Sequence, residues 1–176
     1  THVSWTSAMD LPMGSEISLA YAPGEVGGNA TADKGSSSTA ATRVKGSGYE
    51  VVLKMAPAEG LTVGAGYAVT DTQGGLYEGD GKEGTWYATY KTGGVTIHYQ
   101  RSYETDGISS TAAATSPEYY DTDAYGVSFA VNDQLSVSLT QVNNQRVLND
   151  TGLDTSQEFT GVGAAYNIGG ATLKLS

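Results

Sequence analysis

The chain has no cysteine in 176 residues, so neither a disulfide framework nor a thiolate metal centre can organise it. That absence suits export through an oxidising periplasm without fixing the compartment. Long apolar runs are also missing: none approaches the roughly twenty residues that a transmembrane helix needs. Basic residues are few, 9 against 19 acidic, and the net charge of −10 argues against nucleic acid as a partner. The chain opens on Thr1 with no leader pattern, and we read it as a processed chain or a piece of a longer one. Catalytic equipment is equally sparse. The histidines are His2 and His98, and no nucleophile elbow or zinc-ligand spacing occurs. The glycines of Gly64-Ala-Gly66 lie within a strand pattern and open no helix, so they cradle no phosphate. The sequence therefore reads as a protein without enzymatic function.

What the chain has is 24 Gly, 12 Tyr and a period of two. The stretch Gly84–Glu104 sets the pattern: two β-rich runs flank Gly93-Gly94, a strong two-residue hairpin signal. In the second run Val95, Ile97 and Tyr99 fall on one face, and Thr96, His98 and Gln100 on the other. The runs are long enough to cross a bilayer at a tilt, which takes about nine to eleven residues. The same alternation recurs at Val3–Ala8, Ser15–Ala22, Gly48–Ala56, Leu61–Thr70, Ala124–Val131, from Leu135, at Glu158–Ile168 and from Ala171, ten strands in all. In Leu61–Thr70 the face opposite Leu61, Val63, Ala65, Tyr67 and Val69 consists of Thr62, Gly64, Gly66, Ala68 and Thr70. Residues that small make little sense as a broad solvated surface and suit a crowded channel wall. The mean hydropathy of −0.27 is no objection, because alternating barrel strands average to such values.

Connection lengths sharpen this reading. Tight turns at Leu11–Gly14, Pro57–Gly60, Gly93-Gly94, Asn132–Gln134 and Gly169-Gly170 alternate with four long polar segments. These are Pro23–Lys45, Asp71–Glu83, Thr105–Asp121 and Gln145–Ser156, expected to be extracellular loops. An up-and-down sheet built this way carries its turns at one end and its loops at the other, as outer-membrane barrels do. The expected fold is all-β, an antiparallel transmembrane β-barrel. The alternatives are a soluble β-sandwich or propeller acting as a binding module or adhesin, and a small structural outer-membrane barrel.

Three segments carry a family resemblance: Gly60-Leu-Thr-Val-Gly-Ala-Gly-Tyr-Ala-Val, Ala124-Tyr-Gly-Val-Ser-Phe-Ala-Val, and Thr160-Gly-Val-Gly-Ala-Ala-Tyr-Asn-Ile-Gly-Gly-Ala-Thr-Leu-Lys. Each has a Gly/Ala face, an aromatic near one end and a tight turn. The chain resembles the general porins of Gram-negative bacteria, of the alphaproteobacterial type, along nearly its whole length. The resemblance implies an outer-membrane channel for passive diffusion of ions and small hydrophilic solutes, assembled as a homotrimer in contact with lipid and lipopolysaccharide. Such porins are barrels of about sixteen strands closed by a C-terminal aromatic. Ten strands and the ending Leu175-Ser176 depart from that, so the chain is expected to be part of a longer barrel.

Candidate functional residues follow from the barrel reading. Glu16, Glu50, Lys54, Lys91, His98 and Lys174 fall on the small, polar faces and are expected to line the pore and set its field. Otherwise they decorate the wet side of a half-buried sheet. Trp5, Tyr21, Tyr67, Trp86, Tyr90, Tyr99, Tyr125 and Tyr166 fall on apolar faces and are expected to form an aromatic girdle at the membrane interface. Ordinary cross-strand packing is their bland alternative. Arg101 shares the apolar face with Val95, Ile97 and Tyr99, so it is expected at the outer rim, or else a bulge resets its face. No cofactor is implied. The loop carboxylates read as solvated charge, with calcium at Asp71, Glu78 and Asp80 as the alternative.

Overall fold

The computed structural model describes residues 3–7, 11–23, 44–73, 80–107, 112–149, 151–169 and 171–175. They form β1 (Val3–Thr6), β2 (Glu16–Ala22), β3 (Val44–Ala58), β4 (Leu61–Gln73), β5 (Gly81–Thr92), β6 (Val95–Thr105), β7 (Pro117–Ala130), β8 (Leu135–Leu148), β9 (Thr155–Ile168) and β10 (Ala171–Leu175). The ten strands make one antiparallel sheet in which every strand pairs with its sequence neighbours, in the order β1 to β10. Helical structure among the described residues is confined to single 3₁₀ turns at Pro12–Gly14 and Thr151–Leu153.

This meander arises because each tight connection can only return the chain antiparallel beside its predecessor. At Gly60 φ is +74°, and a Cβ there would run into the Lys91 carbonyl of the neighbouring hairpin. Only glycine fits, and it lets its own carbonyl accept from the Lys91 N–H at 2.8 Å. The β7–β8 turn is closed by Asn132, whose Oδ1 accepts from the backbone N–H groups of Gln134 (2.9 Å) and Leu135 (2.8 Å). The connections β3–β4, β5–β6, β7–β8 and β9–β10 are two to four residues long and lie at one end of the sheet, the end at which the nine-residue β1–β2 connection also lies.

The strands run further than the sequence reading placed them. β3 to β9 are eleven to fifteen residues long. Parts of the expected loops at 71–83, 105–121 and 145–156 are strand: 71–73, 81–83, 117–121, 145–148 and 155–156 all belong to the ladder. Polarity misled there. Ladder hydrogen bonds are made by the backbone, and the Tyr and Thr residues at 119, 120 and 122 favour extended structure whether or not the local surface is wet. Most of the expected loop at 23–45, residues 24–43, lies outside the described residues, as do 74–79 and 108–111.

One face of the sheet is apolar and uncovered. Val3, Leu19, Val51, Tyr67, Trp86, Ile97, Val127, Leu139, Val162 and Leu173 are all exposed, Leu139 by 48% and Val162 by 70%. Among the described residues the buried hydrophobic side chains are Val69, Ala112, Val147 and Leu148, and no large side chain is fully buried. A soluble sandwich would lay a second layer over this face. Here all ten strands belong to a single sheet, so nothing described is left to form that layer.

Candidate functional site

The register places each sequence-predicted residue on a definite face. In antiparallel pairs directly opposed residues share a face, so the polar wall can be traced across the sheet row by row. Near the turns, Glu16 lies opposite Lys54, which lies opposite Gly64, then Tyr87, Gln100 and Ala124. Lys91 is opposite Thr96, His98 is opposite both Thr89 and Gly126, and Lys174 is opposite Ala165. Nearer the loops a second row reads Ala20, Glu50, Ala68, Glu83, Glu104, Tyr120, Arg146 and Thr155. All six predicted wall residues therefore share one face. Val52, Val142 and Phe159 are its apolar interruptions.

Small residues give this wall its shape. A Cβ on Gly64 would stand 2.5 Å from Tyr87 Cε1 and 2.6 Å from its Cζ, so the phenol ring lies flat across the glycine. A Cβ on Gly126 would meet His98 Nδ1 at 2.5 Å, and one on Gly163 would meet Ser138 Oγ at 2.7 Å. Both rings are thus folded down against the sheet by a neighbour without a side chain. Tyr87 also lines a concavity of ≈ 500 Å³, together with Glu50, Gly66, Ala68, Glu83, Thr85, Ser102, Glu104, Tyr120 and Asn144. Those residues come from β3 to β8, so the polar face is the concave one. Hydrogen bonds tie its upper part together: Gln100 Nε2 donates to Thr85 Oγ1 at 3.3 Å, and Asn144 Nδ2 to Thr122 Oγ1 at 2.9 Å.

The charged or aromatic wall residues that escaped the sequence reading include Tyr87, Tyr120, Phe159, Glu83, Glu104 and Arg146. Glu83 falls in the expected loop at 71–83 and Arg146 in that at 145–156, while Glu104 ends the Gly84–Glu104 stretch without being singled out. Continuing the alternation from Thr85 back to Glu83, and from Gln100 forward to Glu104, places both on the polar face. That signal was available in the sequence.

The convex face carries the eight predicted aromatics. Trp86 and Tyr99 meet edge to face at 4.9 Å, and Tyr99 and Tyr125 meet with tilted rings at 5.0 Å, forming one ladder across β5, β6 and β7. Tyr103 and Tyr119 pair above it at 5.2 Å. Tyr21 lies opposite Tyr49 at the loop end of β2 and β3, whereas Tyr90 and Tyr166 lie near the turns, Tyr166 donating to Gln134 Oε1 at 3.3 Å. Trp5 and Tyr67 are exposed on the same face.

Arg101 stays on this convex face, because β6 runs in unbroken register against both neighbours and no bulge resets it. Its solution is local neutralisation. Arg101 Nη2 donates to Asp121 Oδ2 at 2.6 Å and Nε to Oδ1 at 3.1 Å, a two-pronged pair. Asp123 lies opposite Arg101 and accepts from the Tyr99 hydroxyl. Together with Gln141, whose Nε2 donates to Glu158 Oε1 at 2.7 Å, these residues make a polar zone beside the aromatic ladder, Arg101 opposite Trp86 and Gln141 opposite Tyr125. Asp71 ends within β4 and Asp80 immediately precedes β5; Glu78 lies outside the described residues. Among the described residues, no three His, Cys, Asp or Glu side chains are grouped to hold a metal ion.

One comparison decides the fold. A porin structure refined at 1.8 Å resolution superimposes on 97% of this chain with a TM-score of 0.63, at 16% sequence identity. The fold is porin-like. The match covers 53% of that porin, so the chain spans about half the length of the protein it resembles. No family model and no curated relative matches the sequence. Among the described residues the porin-like sheet is open: β1 and β10 are its edges.

Proposed function

We propose that this chain forms part of the wall of an outer-membrane porin in a Gram-negative bacterium, a water-filled channel passing ions and small hydrophilic solutes by passive diffusion. The observation that carries the reading is the inversion of the sheet: its apolar, aromatic-lined face is convex and exposed, and its Gly-, Ser- and Thr-rich face is concave. In water the convex face would be an aggregation surface. In a bilayer it is a lipid-facing band, closed at each margin by rings that favour the interface. Strands of eleven to fifteen residues suffice to cross at a tilt.

Selection in such a channel comes from size and from the field of Glu16, Glu50, Lys54, Lys91, His98 and Lys174 at the wall. Trp5, Tyr21, Tyr67, Trp86, Tyr90, Tyr99, Tyr125 and Tyr166 are assigned to the girdle. Lipid and lipopolysaccharide surround the barrel, and copies of the chain assemble as a homotrimer through part of the convex wall. The reading calls for no cofactor and no catalytic step. Native protein extracted from membranes is expected to run on a gel as a compact oligomer when unboiled and to fall to a monomer heavier than 18.2 kDa on boiling. The same preparation is expected to produce stepwise conductance in a planar bilayer. Migration unchanged by boiling, with the protein in the soluble fraction, would overturn the reading.

A further inference from the structure

The apolar band of the convex face is uneven in height. On three strands the first charged or amide side chain comes ten residues beyond the first convex position at the turn. These runs are Leu61 to Asp71 on β4, Thr92 to Lys82 on β5 and Ile168 to Glu158 on β9. On β6, β7 and β8 it comes after six: Val95 to Arg101, Phe129 to Asp123 and Leu135 to Gln141. Ten residues of strand tilted by about 40° rise ~25 Å, the height of a barrel's lipid-facing band. Six rise only ~15 Å. The band is therefore notched on β6–β8, where Arg101, Asp123 and Gln141 stand level with Tyr67, Trp86 and Val162 of the flanking strands. Pairing does not hide these groups: the Arg101 side chain stays 51% exposed beside Asp121.

We propose that the notch is filled by a second copy of this chain, so that β6–β8 form the subunit contact while β3–β5 face lipid. This rests on the porin reading and says where on the convex wall its copies meet. Hydrocarbon offers a charge or an amide no hydrogen-bond partner, whereas a protein surface at the same depth does. The patch is complementary to itself. Its bases, Lys82 and Arg101, lie on β5 and β6, and its acids, Asp121, Asp123 and Glu158, on β7 and β9. Between them β8 presents the amides Gln141, Asn143 and Gln145, which both donate and accept. Copies in one membrane are related by rotation about its normal, so the β5–β6 side of one meets the β8–β9 side of the next. Base then faces acid. Lipopolysaccharide phosphates would instead meet three carboxylates against two bases, an unfavourable match of like charges.

The test is thiol labelling of Asn143→Cys in the native protein, with Val51→Cys on the lipid-facing arc as control. In outer membranes, and after reconstitution in phosphatidylcholine vesicles free of lipopolysaccharide, Asn143→Cys is expected to resist both a water-soluble and a lipid-dissolved reagent. It is expected to label once mild detergent parts the oligomer into folded monomers. Val51→Cys is expected to label from lipid throughout. Gln141→Leu/Asn143→Leu serves should Asn143→Cys fail to fold: it is expected to replace the unboiled oligomer with a folded monomer that still shifts on boiling. A notch that faced lipid would accept both leucines and leave the oligomer intact. Labelling of Asn143→Cys from lipid in the intact oligomer would overturn the contact and leave the porin reading standing. So would labelling that appears only without lipopolysaccharide, protection that persists in the folded monomer, or a conducting protein that is monomeric before boiling. A soluble protein with neither heat shift nor conductance would overturn both.

Discussion

Val51→Arg is expected to destabilise the folded protein in its membrane by about 2–4 kcal/mol, the cost of a basic side chain near the middle of a lipid-facing band. Val51 lies in the central part of the convex face, paired with Leu19 and Tyr67 and 38% exposed. Its chain neighbour Val52 points the other way and lines the concavity. Val52→Arg places the same charge in water and is expected to change stability by no more than about 0.5 kcal/mol. A soluble sheet with Val51 in a packed core would also suffer from arginine, so a third variant separates the cases. Val51→Phe adds bulk without charge. Lipid accommodates it, whereas a close-packed core would lose about 1–3 kcal/mol to overpacking. The readout is the temperature at which the unboiled band converts to the unfolded one. Val51→Phe matching Val51→Arg would show that this face packs against protein.

The second large effect belongs to Gly64. Gly64→Val is expected to cost about 1–3 kcal/mol and to reduce single-channel conductance, because the new side chain displaces the Tyr87 ring from the wall into the concavity. Gly161 is the control. It lies on the same face, and a Cβ there meets nothing within 4 Å, so Gly161→Val is expected to be mild. Gly64→Val/Tyr87→Ala removes the displaced ring and is expected to recover conductance, a non-additivity that marks direct contact. Equal effects of Gly64→Val and Gly161→Val would mean that the ring does not rest on Gly64.

These outcomes bear on how much of the molecule was legible in its sequence. The period of two assigned Lys54, Lys91, His98 and the eight aromatics to faces that the strand register reproduces, since alternation is a local property of extended chain. The tight turns were legible for the same reason: Gly60, Gly93 and Asn132 each supply a backbone or side-chain feature that a turn requires. Strand ends were not legible. The sequence marks where a surface becomes polar, while the ladder continues as long as backbone groups find partners, and this hid Glu83 and Arg146 among expected loops. The partner of Arg101 was hidden too. Asp121 stands twenty residues away, and only the pairing of β6 with β7 brings the two together.

The central claim is that the convex face of this sheet meets lipid and the concave face meets water. A chain without native cysteine allows this to be measured residue by residue. Single substitutions Thr62→Cys, Gly66→Cys and Ala68→Cys, and Val63→Cys, Ala65→Cys and Tyr67→Cys, sample the two faces of β4 in turn. With the protein in native outer membranes, a small water-soluble thiol reagent is expected to label the first three. A reagent dissolved in the lipid phase is expected to label the second three. Alternating access of this kind, with the apolar positions reached only from lipid, is the result the account predicts. Labelling of 63, 65 and 67 by the water-soluble reagent, or protection of those positions from both reagents, would contradict it.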